Sequence, residues 1–320
     1  MRFNNVDQQF DISESGDITL KKWTPILLAL ALTFSAAPAA PAAHAADSTA
    51  SIVSGTAKTL NYGMVGSLSE GLASFWNESS GLYGYTDTNG KAVIKAQYQE
   101  VKPFSEGLAA VRKGKLWGFV DKKGKVVIKP QYERIVEGFN GGLAAVKKTG
   151  GKWIYIDKTG RVKITAAYDE VHDFKDGMAI VWKRKGSAFL GGFIDKSGKE
   201  VIKPQYAMLS IFSEGLAAVK VGGSANDRSG KWGYIGVTGK MVIPAQYTNE
   251  NAEVGSFKEG VAFVQRPDYG KLLIDRFGKV VVDLKTNNIA VSEFENGAAV
   301  VNAPIGSGQY YFMKNPIAKK

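Results

Sequence analysis

The chain has 320 residues, 41 Lys+Arg against 30 Asp+Glu, a formal net charge of +11, two His and no Cys. Zero Cys excludes a disulfide framework, a thiol nucleophile, a Cys–zinc site and a Cys-anchored lipid, and two His leave little for imidazole metal sites or Ser-His chemistry. At 44% hydrophobic, with 37 Gly, 6 Trp, 13 Tyr and 16 Phe, the chain can build a sizeable core and is no disordered polycation.

Residues 1–19 are polar and acidic and read as an extension upstream of the natural start, with translation expected to begin at Leu20. Lys21 and Lys22 precede an apolar run, Ile26 to Phe34, and an Ala/Pro stretch ending Ala43-His44-Ala45. That order makes residues 20–45 a signal peptide, cleaved after Ala45. About a dozen apolar residues are too few to span a bilayer as a helix, so no transmembrane segment is expected in the mature chain. Cleavage leaves 38 basic and 26 acidic residues, a charge of +12, with His172 as the one remaining histidine. Residues 46–58 read as a linker or degenerate strand, and 59–320 as one repeat domain.

Fixed-period similarity fills that domain. The segment FSEGLAAV at 104–111 returns at 139–146, 174–181, 212–219, 257–264 and 294–301, with an earlier copy, LSEGLASF, at 68–75. The anchoring glycines Gly71, Gly107, Gly142, Gly177, Gly215, Gly260 and Gly297 are spaced by 36, 35, 35, 38, 45 and 37 residues. A second motif follows each copy and is clearest as KLWGFVDKKGKVVIKPQY at 115–132. From turn glycine to tyrosine the spacing is eight in five repeats, as in Gly124–Tyr132.

Each unit predicts a β-meander. LAAV and W-G-[FY]-[VI]-D are short apolar strands, and D-x-x-G suits a type I turn closed by a left-handed Gly with a bulge. The third run contains a Pro, so its ladder stops there or lies at an edge. No segment after residue 45 carries a helical period, which makes the fold class all-β: seven tandem ~36-residue β-meander repeats. Such units bury their faces by stacking, in an open β-solenoid or superhelical array or in a closed propeller-like ring. Tyr62 stands nine residues before Gly71, as Tyr98 does before Gly107, so 52–62 reads as a lone third strand. Residues 294–314 supply only first and second strands, and the two half-units together would complete a blade.

The pattern E-G-L-A-x-V…K-W-G-[FY]-[IV]-D-x-x-G-K-x-V-I-x-P-x-Y, carried by Gly107, Trp117, Gly118, Asp121, Gly124, Tyr132, Trp232 and Gly233, resembles the WG (KWG) repeats of bacterial proteins. The resemblance covers roughly residues 60–320. It departs at Trp153-Ile154, at Gly191-Gly192 and at Lys271-Leu272. It implies a β-rich binding or interaction scaffold and brings no reaction and no catalytic residues.

Motifs that suggest chemistry have structural readings here. Asp157-Lys158-Thr159-Gly160 resembles the phosphorylated motif of P-type ATPases, but it is one of a turn series with Asp87, Asp121, Asp195 and Asp275. No D-x-[DN]-x-[DN]-G loop occurs, so neither metal nor cofactor is expected. The acids Glu70, Glu106, Asp176, Glu214 and Glu259 recur in nearly every unit, whereas catalysis needs one site, so they read as turn residues. The recurrent Trp and Tyr read as core between units. Trp76 and Trp182 fall off the W-G phase and are expected to be exposed. The 221–230 insertion, with Asn226, Asp227 and Arg228, lengthens one hairpin; these five residues are the candidate binding residues. The function expected is a secreted, non-enzymatic scaffold binding an anionic envelope polymer, glycan or protein, extracellular or envelope-associated, with no nucleic acid partner. The alternative is a secreted carboxylate-dependent hydrolase acting on cell-wall polysaccharide.

Overall fold

The computed structural model describes residues 8–12, 18–22, 62–224, 229–248, 254–265, 270–284, 290–302, 305 and 310–317. The apolar run and cleavage site of the expected signal peptide, the expected linker at 46–58, and Asn226, Asp227 and Arg228 lie outside them. Near the N-terminus Gln8–Ile12 pairs antiparallel with Ile18–Lys22. All other strands belong to seven small antiparallel sheets, and the described residues contain no helix.

The second sheet shows the plan. A short lead strand, Glu100–Val101, pairs with the first strand, Leu108–Lys113; this pairs with the second, Leu116–Asp121, and the second with the third, Val126–Tyr132. The other sheets cover 64–98, 134–165, 170–206, 216–247, 261–283 and 290–314. In the fifth and sixth the lead strand is reduced to a single bridge, Leu209↔Val219 and Thr248↔Gln265. The seventh has lead, first and second strands only. The third strand holds its Pro at the sheet edge, where a missing N–H costs no ladder bond.

Leu108, Ala109, Ala110 and Val111 are all buried, because this sheet is covered on both faces by its neighbours. Leu108, Ala110, Trp117, Phe119, Ile128 and Tyr132 join Phe139, Ala144, Val146 and Ile156 of the third repeat in one cluster. The opposite-facing Ala109, Val111 and Val120 join the first repeat's Leu72, Tyr85, Ile94 and Tyr98. Six such clusters link the seven sheets in chain order. At each of the first five junctions a ring from one repeat packs on the Phe of the next repeat's F-x-x-G. Examples are Phe119–Phe139 at 4.9 Å and Phe193–Phe212 at 4.6 Å. Tyr62 stacks on Phe75 at 4.0 Å, taking against the first sheet the place Tyr98 takes against the second. On the seventh sheet Val300, Tyr310 and Phe312 are exposed.

The W-G glycine has a steric reason. A methyl on Gly118 would sit 2.5 Å from the Ile128 carbonyl oxygen, and one on Gly233 2.6 Å from that of Ile243. The close approach comes from a bulge in the third strand. Phe119 pairs with Ile128 but Trp117 pairs with Tyr132, which turns the Tyr inward. Gly191-Gly192 keeps this geometry, with Gly191 opposite Tyr206 and Phe193 opposite Ile202. Ile154 and Leu272 do not. There the strands pair residue for residue, Ile154↔Thr165 with Tyr155↔Ile164, and Leu272↔Asp283 with Leu273↔Val282. In the third repeat Tyr168 accordingly swings out, and its hydroxyl donates to Glu200 Oε2 at 3.0 Å; the sixth repeat has no Tyr.

At the corner between repeats, Ser105 and Leu108 exchange backbone hydrogen bonds across Glu106-Gly107, at φ +53° and +86°. This is a two-residue type I′ hairpin. The Glu106 carboxylate accepts the Gly142 N–H and pairs with Lys158 Nζ at 3.1 Å. Glu70 does the same with Gly107 and Lys122. Where position 141 is Gly, Lys196 lies against it. Glu70, Glu106, Glu214 and Glu259 thus each tie their repeat to the next through the N–H of its anchoring glycine.

Candidate functional site

In the first four repeats the first-to-second-strand hairpin lies at the end of its sheet opposite the D-x-x-G and E-G turns. In repeats two to four the tips carry Lys113 and Lys115, Lys148 and Lys152, then Lys183, Arg184 and Lys185, all exposed. None of these side chains has an ion-pair partner among the described residues. Some cations elsewhere do have acid partners: Lys102–Glu137, Lys122–Glu70, Lys158–Glu106 and Lys258–Glu293 all pair within 3.2 Å.

Below the tips lies a layer of aromatic rings. Trp117, Trp153 and Trp232 are buried, as expected of core residues. The Arg134 guanidinium lies over the Trp153 ring at 5.1 Å and the Lys147 ammonium at 5.9 Å. The arginines at this level are already engaged. Arg134 pairs with Glu170 of the next repeat at 2.9 Å, and Arg112, opposite Trp117, pairs with Glu100.

Trp76 and Trp182, expected to be exposed, are half-buried. Both stand at the end of a first strand, in the phase that Arg112 and Lys147 occupy in repeats two and three. Trp76 pairs across the strands with Tyr83, and Trp182 with Gly191, which replaces the usual Trp. A methyl on Gly191 would meet Leu209 and the Trp182 ring, so Trp182 fills the space that the missing side chain leaves. The two Trp share a phase but stand in different repeats, and the described residues bring neither together with the other candidates.

The fourth hairpin also has the longest paired strands among the described residues. Met178–Lys185 and Ala188–Asp195 continue two rungs beyond the second repeat's hairpin, adding Arg184↔Phe189 and Lys185↔Ala188. Trp182 and Phe189 stack at 5.4 Å and 12°, and the Arg184 guanidinium covers the Phe189 ring at 5.5 Å. Trp182 Nε1 donates to His172 Nε2 at 3.3 Å, and Asp169 Oδ2 accepts the Arg184 backbone N–H at 2.7 Å. His172 packs close to this hairpin, and loss of hydration lowers its pKa. Sequence reasoning passed over Arg184 and Phe189. Their signal was the 38-residue spacing from Gly177 to Gly215, which records the lengthened hairpin.

One buried acid breaks the repeat pattern. Asp173 accepts the N–H groups of Glu137 and Ala145, at 2.9 and 3.2 Å, and a longer one from Gly138. It lines a small cavity of about 150 Å³ with Pro103, Ser105 and Glu137. Burial raises its pKa to about 6 despite those three donors. No group of three or more His, Asp or Glu among the described residues is placed to hold a metal. No helix there is long and apolar enough to cross a membrane.

The fold resembles that of propeller-like solved structures at low identity. The crystal structure of a eukaryotic initiation factor matches at TM-score 0.50 and 10% identity, over 77% of this chain and 71% of that one. BamB from Moraxella catarrhalis matches at 0.42 and 16%, over 74% and 78%, and the computationally designed Ika4 protein at 0.28 and 15%, over 44% and 88%. No curated protein matches the sequence. The model of the WG containing repeat matches five times, at residues 83–117, 117–153, 155–184, 192–224 and 232–266. With the recurring bulge, inward Tyr and acid-bearing corner turn, these matches make the chain a member of the WG repeat family.

Proposed function

We propose that this repeat scaffold is exported and binds an anionic polymer of the cell envelope through the hairpin tips of its second to fourth repeats, without catalysing a reaction. The observation that carries this reading is the recurrence of exposed cations, without an ion-pair partner among the described residues, at the hairpin tips of three consecutive repeats: Lys113, Lys115, Lys148, Lys152, Lys183 and Lys185. Repetition spaces them as a stacked array spaces its tips, so a long polyanion engages several at once, and multivalency raises affinity without new contacts. The signal-like segment 20–45 and the mature charge of +12 supply the compartment and the sign of the partner. Cosedimentation of the mature chain with purified cell walls tests the proposal. Binding should weaken steeply between low and high salt, and salt-independent binding contradicts it.

The hydrolase reading has one observation in its favour, the raised carboxyl of Asp173 beside Glu137 in a cavity. Against it, both Asp173 oxygens accept backbone N–H groups of the third repeat, which fits an acid that holds two repeats together. Release of reducing ends from wall polysaccharide, abolished in Asp173→Asn, would establish the hydrolase instead.

A further inference from the structure

The hairpin tips are not equivalent. In repeats two and three the arginines near the tips, Arg112 and Arg134, donate to Glu100 and Glu170, and so have spent charge on the protein itself. In the fourth repeat the arrangement moves outward. Gly191 stands where the Trp was, Trp182 where the cation was, and the Trp182–Phe189–Arg184 stack continues two rungs further, where no acid pairs with the guanidinium among the described residues.

We infer that Arg184 is a preorganised carboxylate-binding fork, and that the fourth hairpin is the point at which the scaffold grips a carboxylate-bearing polysaccharide. A guanidinium lying on a ring keeps its N–H edge free for a bidentate contact, and the orientation that such a contact requires is already set. The Phe189 ring fixes its plane, Trp182 backs the Phe189 ring, and the bond from Trp182 Nε1 to His172 Nε2 ties that stack to the strand before it. The bond from the Arg184 N–H to Asp169 holds the backbone beneath. Lys183 and Lys185, exposed on the opposite face of the same strand, add charge for the next acidic sugars along the chain. A polysaccharide fits this tip better than a lipid surface, because the exposed residues flanking Phe189 on the first strand are the charged Lys183, Arg184 and Lys185 and not an apolar cluster that could insert.

The inference rests on the proposed scaffold reading and is tested with the whole mature chain and polygalacturonate, by calorimetric titration across a salt series. Arg184→Lys keeps the charge but loses the planar fork, and Phe189→Leu keeps an apolar residue but loses the stack. Each should weaken binding about five- to tenfold, the size expected of a cation–ring contact that orients a charged bond. Lys148→Ala combined with Lys152→Ala removes more charge and should weaken binding less at moderate salt. If Arg184→Lys and Phe189→Leu bind as the unaltered chain does, with unchanged melting temperatures, the fork is overturned while the wider scaffold reading stands. Tighter binding to phosphatidylglycerol vesicles or polyphosphate than to polygalacturonate, sensitive to Arg184→Lys, overturns the carboxylate polymer as the ligand. If the unaltered chain binds neither polygalacturonate nor cell walls, the scaffold reading fails with it.

Discussion

Glu106 sits at φ +53°, a left-handed conformation that Gly, Asn and Asp adopt far more readily than Glu. The strain of about 1 kcal/mol is offset by what the longer side chain reaches, the Gly142 N–H and the Lys158 ammonium of the next repeat. Separating the two effects needs two variants. Glu106→Ala keeps the strain and loses the contacts, and should destabilise by about 1–2 kcal/mol. Glu106→Gly loses both and should fall close to the unaltered chain, about 1 kcal/mol more stable than the Ala variant. Chemical denaturation of the pair measures the difference. Asp173 gives a second test at this scale. Its folded pKa of about 6 lies above the ordinary carboxylate value, so the stability it contributes is fully present in acid, below the unfolded pKa near 4, and is lost as pH rises through 6. Glu70 works in the opposite direction. The Lys122 ammonium bonded to it lowers its pKa, and that contribution is lost as pH falls. Subtracting the melting temperature of Asp173→Asn from that of the unaltered chain isolates the aspartate. The difference should decline between pH 4 and pH 6.5, and a difference that rises over that range would show that the carboxylate is favoured in the fold.

Within one repeat, the W-G glycine, the bulge and the inward tyrosine form a single device. Gly118→Ala drives a methyl into the Ile128 carbonyl and should cost about 2–4 kcal/mol in denaturant, whereas Ile154→Gly, where the strands pair without a shift between Ile154 and Tyr155, should cost about 1–2. Equal losses at the two positions would break the link between glycine and bulge. The repeat motif already carried most of this layer. The LAAV strand, the W-G-F strand and the D-x-x-G turn follow from apolar runs between glycines, and the Asp121 side chain accepts the N–H groups of Lys123 and Lys125 as such a turn requires. The lead strand Glu100–Val101 did not stand out, because two paired residues leave no periodicity to read. Its trace is the E-V or R-I that stands just after Tyr98, Tyr132 and Tyr168. Nor could spacing alone show that Ile154 and the outward Tyr168 belong to one event, since both are consequences of register.

Across the molecule, seven sheets stack through six apolar clusters, so cohesion comes from neighbours and no crosslink is needed in a chain without Cys. This all-β repeat was legible in the sequence because every unit states the same pattern. The candidate site was legible only in part, because sites lie where units differ. Trp182 stood out by its phase, but its role in filling the gap at Gly191 depends on a cross-strand neighbour nine residues away. The net charge hinted at a polyanion, and which lysines lie together at the hairpin tips and which meet an acid of a neighbouring repeat became visible only in the fold. A change that removes the tip charge while leaving the sheets alone therefore addresses the account most directly. The variant carrying Lys113, Lys115, Lys148, Lys152, Lys183 and Lys185 all changed to Gln should keep the melting temperature of the unaltered chain. In cosedimentation with purified cell walls at low salt, it should lose at least tenfold in affinity and most of its salt dependence. Undiminished binding by this variant would contradict the proposal that the hairpin tips are the binding surface.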